Sequence, residues 1–271
     1  MANDLVSIVI PVYNNADTII ETLLSVENQT YKNIEVIIVD DGSTDYFLDV
    51  INNYVLNKKI QNLKVLTQLN SGPSVARNNG ALKATGKYLL FLDADDLLHE
   101  TYIEKAIKIL ENNDKINIVY ADVEFFGNET GKWILSDFKL PDFLINNSIP
   151  IFAVIKRRVF LEVGMFDTKL TFTEDWELWI RIVKFFGGVH KIQEVLYFYR
   201  KRQNKTSLTD NVNENEEISR LYIYNKHYEY YKANNLGITS LINNLIFYNN
   251  LKIKYINIWY KKLINKFMKN K

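Results

Sequence analysis

The strongest constraint on this chain is a change of hydrophobic period that repeats through its first hundred residues. Leu5–Val12 is a continuous apolar run rich in β-branched residues, the pattern of a strand buried on both faces. Ala16–Asn28 then places Ile19, Ile20, Leu23, Leu24 and Val26 on a helical stripe. Ile34–Val39 reads as a second buried strand, Thr44–Leu56 as a helix and Leu63–Leu66 as a short strand. Pro73–Ala84 is a helix whose proline suits its first turn, and Tyr88–Leu92 is a fourth strand. Strands and helices in strict alternation predict an α/β fold, a mainly parallel sheet with helices on both faces, because parallel neighbours need a crossover. Ligands of such sheets gather beyond the carboxyl ends of the strands. Polar clusters beginning at Tyr13, Asp40, Leu69 and Asp93 follow the four strands, so one crevice can collect them all.

From Ile116 the pattern changes. Ile116–Phe126 and Lys132–Leu135 read as strands joined by a turn at Gly127–Gly131, and Ile151–Lys156 as another strand. Arg157–Val163 and Asp175–Phe186 are expected helices, and Val195–Tyr199 a late strand. Beyond about residue 211 the chain is expected to be helical. The expected organisation is one domain over residues 1–210, with halves 1–98 and 99–210, followed by a helical basic extension over 211–271.

Composition excludes several chemistries. With no cysteine, the chain has no disulfide, thiolate nucleophile or cysteine-bound zinc. Only His99, His190 and His227 are present, too few for a multi-histidine metal centre to be expected. No nucleic-acid partner is expected. The first residues carry neither a basic nor a long apolar segment, so a cytoplasmic protein is expected. Charge is unevenly spread: no acidic residue follows Glu229, while eight lysines lie from Lys232 to Lys271. That stretch also carries Tyr255, Trp259, Tyr260 and Phe267. Such a segment suits an anionic membrane surface, and it equally suits packing of an apolar helix face on the body. A membrane-spanning helix is not expected, because the uncharged stretch Ala233–Leu251 contains six asparagines.

The apolar run Tyr88–Leu92 ends in Asp93-Ala94-Asp95-Asp96. Carboxylates so close raise one another's pKa unless a cation neutralises them, and hard cations such as Mg²⁺ or Mn²⁺ bridge a few carboxylates to substrate phosphates. Asp93 and Asp95, two apart on an extended chain, can converge on one ligand. The competing reading is a solvated acidic turn capping a helix over Leu97–Leu110. Neither common glycine-rich nucleotide signature is present, so a dinucleotide dehydrogenase and a P-loop NTPase both lose support. Asp40 can accept from a nucleobase N–H or close an Asx turn. Arg77 can reach a base or phosphate, or make an ordinary ion pair. Thr171 and Glu174 fit a capping box, which leaves Asp175 unexplained between Glu174 and Trp176. Tryptophans beside a carboxylate can raise its pKa toward use as a general base, or form sugar platforms, or simply fill the core.

Taken together, the segments Val6–Asn14, Val39–Asp45, Gly72–Gly80, Phe91–Asp96 and Glu174–Trp179 resemble, in order, the motifs of family 2 glycosyltransferases. The resemblance covers about residues 5 to 205. It implies a GT-A fold, Rossmann-like, and inverting transfer of a sugar from a nucleotide donor, with UDP favoured, to a glycan or lipid-linked acceptor. It implies a place in surface polysaccharide or lipooligosaccharide synthesis, at the cytoplasmic face of the inner membrane through residues 232–271. Residues 1–98 would be the nucleotide-sugar half and 99–210 the acceptor half. Carried over, Asp40 would contact the base with Arg77 in support, Pro11 and Tyr13 would line the nucleoside pocket, and Asp93 would lie by the ribose or metal. Asp95 would ligate Mn²⁺ or Mg²⁺ bridging the diphosphate, and Asp175 would be the general base. Glu174, Trp176 and Arg202 are further candidates for phosphate or acceptor contacts. Arg202 is also a departure, since many relatives carry histidine at that place in a Tyr-Arg-x-His motif, and arginine binds phosphate rather than metal. Two other functions compete: a sugar-nucleotide or glycan-binding module without catalysis, and a nucleotidyltransferase, whose usual glycine-rich basic first loop is absent from Val12–Ala16.

Overall fold

A computed structural model of the chain describes residues 4–56, 60, 62–133, 135–202, 213–243, 246, 247, 250, 252 and 254. The chain divides into two compact units, Met1–Leu221 and Tyr222–Lys271. In the first unit the alternating half forms as its periodicity predicts. Strands β1 (Val6–Val12), β2 (Ile34–Asp40), β3 (Leu63–Thr67) and β4 (Tyr88–Phe91) are separated by helices α1 (Ile19–Glu27), α2 (Phe47–Leu56) and α3 (Pro73–Lys83). β1 pairs in parallel with both β2 and β4, and β2 with β3. The chain therefore steps from β1 to β3 in one direction and returns to the other side of β1 for β4. That reversal opens a crevice at the carboxyl end of β1, where such sheets bind ligands.

The central strands are fully buried from Ile8 to Ile10 and from Val36 to Val39, which explains their unbroken apolar runs. Gly80 lets α3 approach the sheet closely: a Cβ there would lie 2.4 Å from Val9 Cγ1. One polar knot sits inside this half. Glu35, 3% exposed, accepts from Ser7 Oγ at 2.7 Å, Thr85 N at 2.6 Å and Gly86 N at 3.1 Å, and pairs with Lys64 at 3.0 Å. Burial pushes its carboxyl up, but these donors outweigh burial and hold it down at about 2. Glu35→Ala strands those donors and is expected to cost about 2–4 kcal/mol, read as a lower thermal midpoint at pH 7. The folded pKa is depressed, so this stability is complete above the ordinary value of 4.5 and disappears as pH falls through about 2. Native and variant midpoints should therefore converge over that window; a gap independent of pH would refute the charge-based account.

The second half adds β5 (Leu97–Leu98), α4 (Tyr102–Asn112), β6 (Ile118–Gly127), β7 (Gly131–Trp133), α5 (Leu140–Phe143), β8 (Val154–Lys156), α6 (Arg157–Glu162), α7 (Glu174–Phe186) and β9 (Val189–Lys201). The nine strands of the described residues belong to one sheet, ordered β3-β2-β1-β4-β8-β6-β9-β5, with β7 on β6. β8 runs antiparallel to β4 and β6, β9 parallel to β6, and β5 antiparallel to β9. The sheet is thus parallel in its first half and mixed beyond β4. The helix expected over Leu97–Leu110 begins only at Tyr102, because Leu97 and Leu98 pair with Phe198 and Tyr197. β9 is longer than its apolar core, Val195–Tyr199, since its ladder with β6 runs from Val189 to Lys201 through a register shift at Asp122.

Helix α8 (Asn213–Lys226) runs across the division between the units, and α9 (Tyr228–Ala233) follows in the second. In that unit the Tyr224 ring meets Tyr228 and Tyr231 edge-on, and its hydroxyl donates to the Leu236 carbonyl at 3.1 Å. No helix of the described residues is long and apolar enough to cross a membrane. The aromatic and basic residues expected at the tail, from Tyr255 onward, lie outside the described residues.

Candidate active site

Loops leaving the carboxyl ends of β1, β2 and β3 are tied together by side-chain amides and carboxylates. Asn14, with φ 55°, accepts from Thr44 N at 2.7 Å, and Asp45 accepts from Ala16 N at 2.9 Å. Asp41 accepts from Ser71 N and Gly72 N, both at 2.8 Å. Gly72 opens α3 at φ 89°, a conformation that costs glycine little. These ties fix one wall of a cavity of about 910 Å³.

Pro11, Tyr13, Arg77, Asp93 and Asp95 line this cavity, and so do Glu174, Asp175 and Arg202. The structure therefore gathers eight of the ten residues singled out from sequence. Asp40 is not among them. It is 1% exposed and accepts from Ser43 N, three residues on, at 2.9 Å, while its neighbour Asp41 lines the cavity instead. Asp40 is the last residue of β2, whereas Asp41 lies just beyond the strand and is held toward the crevice side by Ser71 N and Gly72 N. Trp176 is also absent from the cavity wall: it is 3% exposed, and its Nε1 donates to the Phe143 carbonyl at 2.8 Å. Trp179 is fully buried, so the two tryptophans of α7 are core residues and not sugar platforms.

Each carboxylate of the acidic run has its own partner. Asp93 Oδ1 accepts from Arg77 Nη2 at 2.8 Å. Asp95 Oδ2 takes Arg202 Nε at 2.8 Å and Nη2 at 2.7 Å. Asp96 is 1% exposed and accepts from Tyr197 Oη at 2.7 Å and Arg200 N at 2.8 Å, which pins β9 beside the end of β4. Burial raises the Asp96 carboxyl well above the usual range, and the charges of Asp95 and Asp93 push the same way. Burial also raises Asp95; Arg202 opposes the rise and Asp93 adds to it.

Arg77 is 5% exposed and forks between the two ends of the site, its Nη1 reaching Glu174 at 2.8 Å while Nη2 holds Asp93. The expected capping box of Thr171 and Glu174 does not form. α7 opens instead at Thr173, with φ 56° and no side-chain cap, and Glu174 is spent on Arg77. Beside it, Asp175 accepts from Trp176 N at 2.7 Å and from Asn147 Nδ2 at 3.1 Å. Burial lifts the Asp175 carboxyl, the Glu174 charge adds to the lift, and these donors with Arg77 restrain it, leaving it at about 7. A carboxylate near pH 7 on a cavity wall is suited to general-base work.

Sequence reasoning missed Asp41, Asn147 and the aromatic wall of the cavity. Trp133 stacks on Phe125 at 5.8 Å and meets Tyr199 edge-on at 5.7 Å, and both Trp133 and Tyr199 line the cavity. The signal for that wall was the pairing of β7 with β6 and of β6 with β9, which periodicity does not contain. Asn147 approaches Asp175 from 28 residues away and left no local signature.

Among the described residues no group of three His, Asp or Glu side chains is arranged to hold a metal ion. Asp95 fits a hard cation as one carboxylate ligand, provided a diphosphate supplies further oxygens, which is how Mg²⁺ commonly binds beside phosphates.

Residues 7–196 match the family model described as Glycosyl transferase family 2. An uncharacterized glycosyltransferase of Haemophilus influenzae is 32% identical over 251 residues, covering 90% of this chain and 94% of its own. An uncharacterized glycosyltransferase of Rickettsia conorii is 35% identical over 196 residues, 69% of this chain; the match spans only 32% of that longer protein. The minor teichoic acid biosynthesis protein GgaA of Bacillus subtilis is 30% identical over 75% of this chain and 49% of its own length. Among solved structures, S. aureus TarS 1–349 in complex with UDP-GlcNAc superposes with a TM-score of 0.63 at 20% identity, over 86% of this chain and 75% of that one. The mannosyltransferase PcManGT from Pyrobaculum calidifontis, in complex with GDP-Man and Mn²⁺, gives 0.60 at 20% identity, over 74% and 58%. Both likenesses are of fold, and the fold is GT-A.

Proposed function

The chain belongs to glycosyl transferase family 2, and from that premise we propose that it transfers a sugar from a UDP-sugar to a hydroxyl of a cell-surface glycan or its lipid-linked precursor, with inversion. The observation that carries this reading is a single cavity bearing Asp93 and Asp95 on the sheet side and, on α7, a carboxylate with its pKa raised to about 7. The UDP-GlcNAc bound in TarS supports the donor class. The name of the Bacillus relative supports a surface polymer as acceptor.

In the proposed reaction Asp175 takes the proton of the acceptor hydroxyl while that oxygen bonds to the anomeric carbon. The bond from the anomeric carbon to the β-phosphate oxygen breaks, and the electron pair leaves with UDP. Attack opposite the leaving group inverts the centre. Pro11 and Tyr13, on the cavity wall, flank the nucleoside, and Asp41, which lines the cavity where Asp40 does not, takes the role expected of Asp40. A divalent cation on Asp95, supported by the Mn²⁺ in PcManGT, would neutralise charge on the departing diphosphate. Arg77 pairs with Glu174, so that the base does not face a second unpaired carboxylate. Work at the cytoplasmic membrane face is part of the proposal. It is supported by the lysines from Lys232 onward and by the exposure of Ile238, Leu241, Ile242, Ile246 and Phe247.

The test is calorimetric titration of UDP and GDP with and without Mn²⁺, on native protein and on Asp95→Ala. UDP is expected to bind with Mn²⁺ and to lose at least about tenfold in affinity in the variant. A folded protein that binds neither nucleotide would overturn the donor assignment. Binding without transfer to any acceptor, and without slow donor hydrolysis, would favour a non-catalytic sugar-nucleotide module.

A further inference from the structure

Each carboxylate of the acidic run at the end of β4 is partnered from within the chain. Arg77 takes Asp93, the Tyr197 hydroxyl and a backbone N–H take Asp96, and Arg202 takes Asp95. Of these partners the Arg202 side chain is the most exposed. Arg77 is 5% exposed and forked between two carboxylates, and Tyr197 is fully buried. The Arg202 side chain is 34% exposed, lines the cavity at the end of β9, and sets both Nε and Nη2 on one oxygen of Asp95. The Asn15 amide, oriented so that its nitrogen donates to the Tyr13 carbonyl at 2.8 Å, turns its oxygen to Arg202 as well. A guanidinium seated on the carboxylate that would ligate a metal repels any dication approaching the same oxygen. The same group, once displaced into the cavity, is a strong bidentate partner for phosphate oxygens.

We propose that Arg202 and a divalent cation are alternative partners of Asp95, and that the arginine released by the cation becomes a ligand of the donor diphosphate. This rests on the donor-site reading above and adds an internal exchange to it. Before the donor arrives, Arg202 keeps Asp95 neutralised, so a free cation binds poorly. When cation and diphosphate arrive together, the cation takes Asp95 and the guanidinium moves onto the phosphate oxygens, so the two bind cooperatively. Linkage then requires that each ligand strengthen the other by the same factor.

The exchange predicts effects of opposite sign in one variant. In Arg202→Ala, Mn²⁺ alone is expected to bind about tenfold more tightly than in native protein, because its competitor is gone. UDP at saturating Mn²⁺ is expected to bind about tenfold more weakly, because the diphosphate has lost its arginine. Both affinities are read by calorimetry, with the thermal midpoint as the check on folding. Arg202→Gln, which keeps hydrogen-bonding capacity without charge, repeats the test should the alanine variant fail to fold. Mn²⁺ binding equal to or weaker than native would overturn the proposal, since a merely structural ion pair predicts loss on both counts. Unchanged UDP affinity at saturating Mn²⁺ would overturn it too. Failure of native protein to bind UDP or GDP at any Mn²⁺ concentration would bring down the donor-site reading itself, an outcome separable from the Mn²⁺-only measurement.

Discussion

Replacing Asp175 by Asn is expected to lower sugar transfer by about 10²–10⁴-fold while leaving UDP affinity nearly unchanged. The amide preserves shape and can still face Trp176 N and Asn147, but it cannot take a proton from the acceptor hydroxyl. Native activity should rise with pH along a limb of apparent pKa about 7, since the base must be ionised to work. The same shift carries a stability signature. Asp175 has a folded pKa raised above its ordinary value of 3.8, so its contribution to stability is complete below 3.8 and is lost as pH rises through about 7. Asparagine does not ionise and escapes that loss. The thermal midpoint of Asp175→Asn relative to native should therefore improve steadily between pH 4 and about 7 and level off above. Transfer rates and melting curves across this range check both claims. A variant that loses UDP binding along with transfer would make Asp175 a donor-site residue instead of the base.

Arg77→Met should lower stability by about 3 kcal/mol. Methionine fills the space of the stem but leaves Asp93 and Glu174 facing each other across a mostly buried gap without the cation between them. The expected cost lies at the lower end for a broken buried pair because Asp93, 30% exposed at its side chain, can relax toward water. Activity should fall as well, with the acidic limb moving to higher pH, because Asp175 loses a positive neighbour and gains an unpaired negative one. Adding Glu174→Gln to Arg77→Met should recover part of both the midpoint and the pH shift. No recovery in the double variant would mean that Arg77 matters through packing alone. Arg77→Lys is expected to recover little, since one ammonium cannot serve two carboxylates with the fork geometry seen here.

The two halves of the fold were unequally legible. Strands β1 to β4 and their helices appear within a few residues of where hydrophobic period places them, because each buries its own face locally. Beyond β4 the boundaries depend on partners far away in sequence. Leu97 and Leu98 are strand only because β9 lies beside them, and the capping box at Thr171 gives way to a salt bridge across 97 residues. The candidate site follows the same division. The order of the motifs identified Pro11, Tyr13, Asp40, Arg77, Asp93, Asp95 and Asp175 as one set, and all of them but Asp40 line one cavity. Which of Asp40 and Asp41 faces that cavity, and whether Trp176 reaches it, depended on side-chain direction, which adjacency in a sequence leaves open.

By itself, then, the sequence determined the alternating α/β layout, the crevice at the strand ends and the carboxylates gathered there, since all three follow from local period and chain order. Only the tertiary structure decided what those carboxylates touch. Arg77 joins the sheet side of the site to α7, Asn147 reaches Asp175 from a distant loop, and Arg202 sits on Asp95 from the end of β9. Each of these contacts acts on a charged group across about 3 Å. Distances of that kind exist only once the sheet has brought remote segments together.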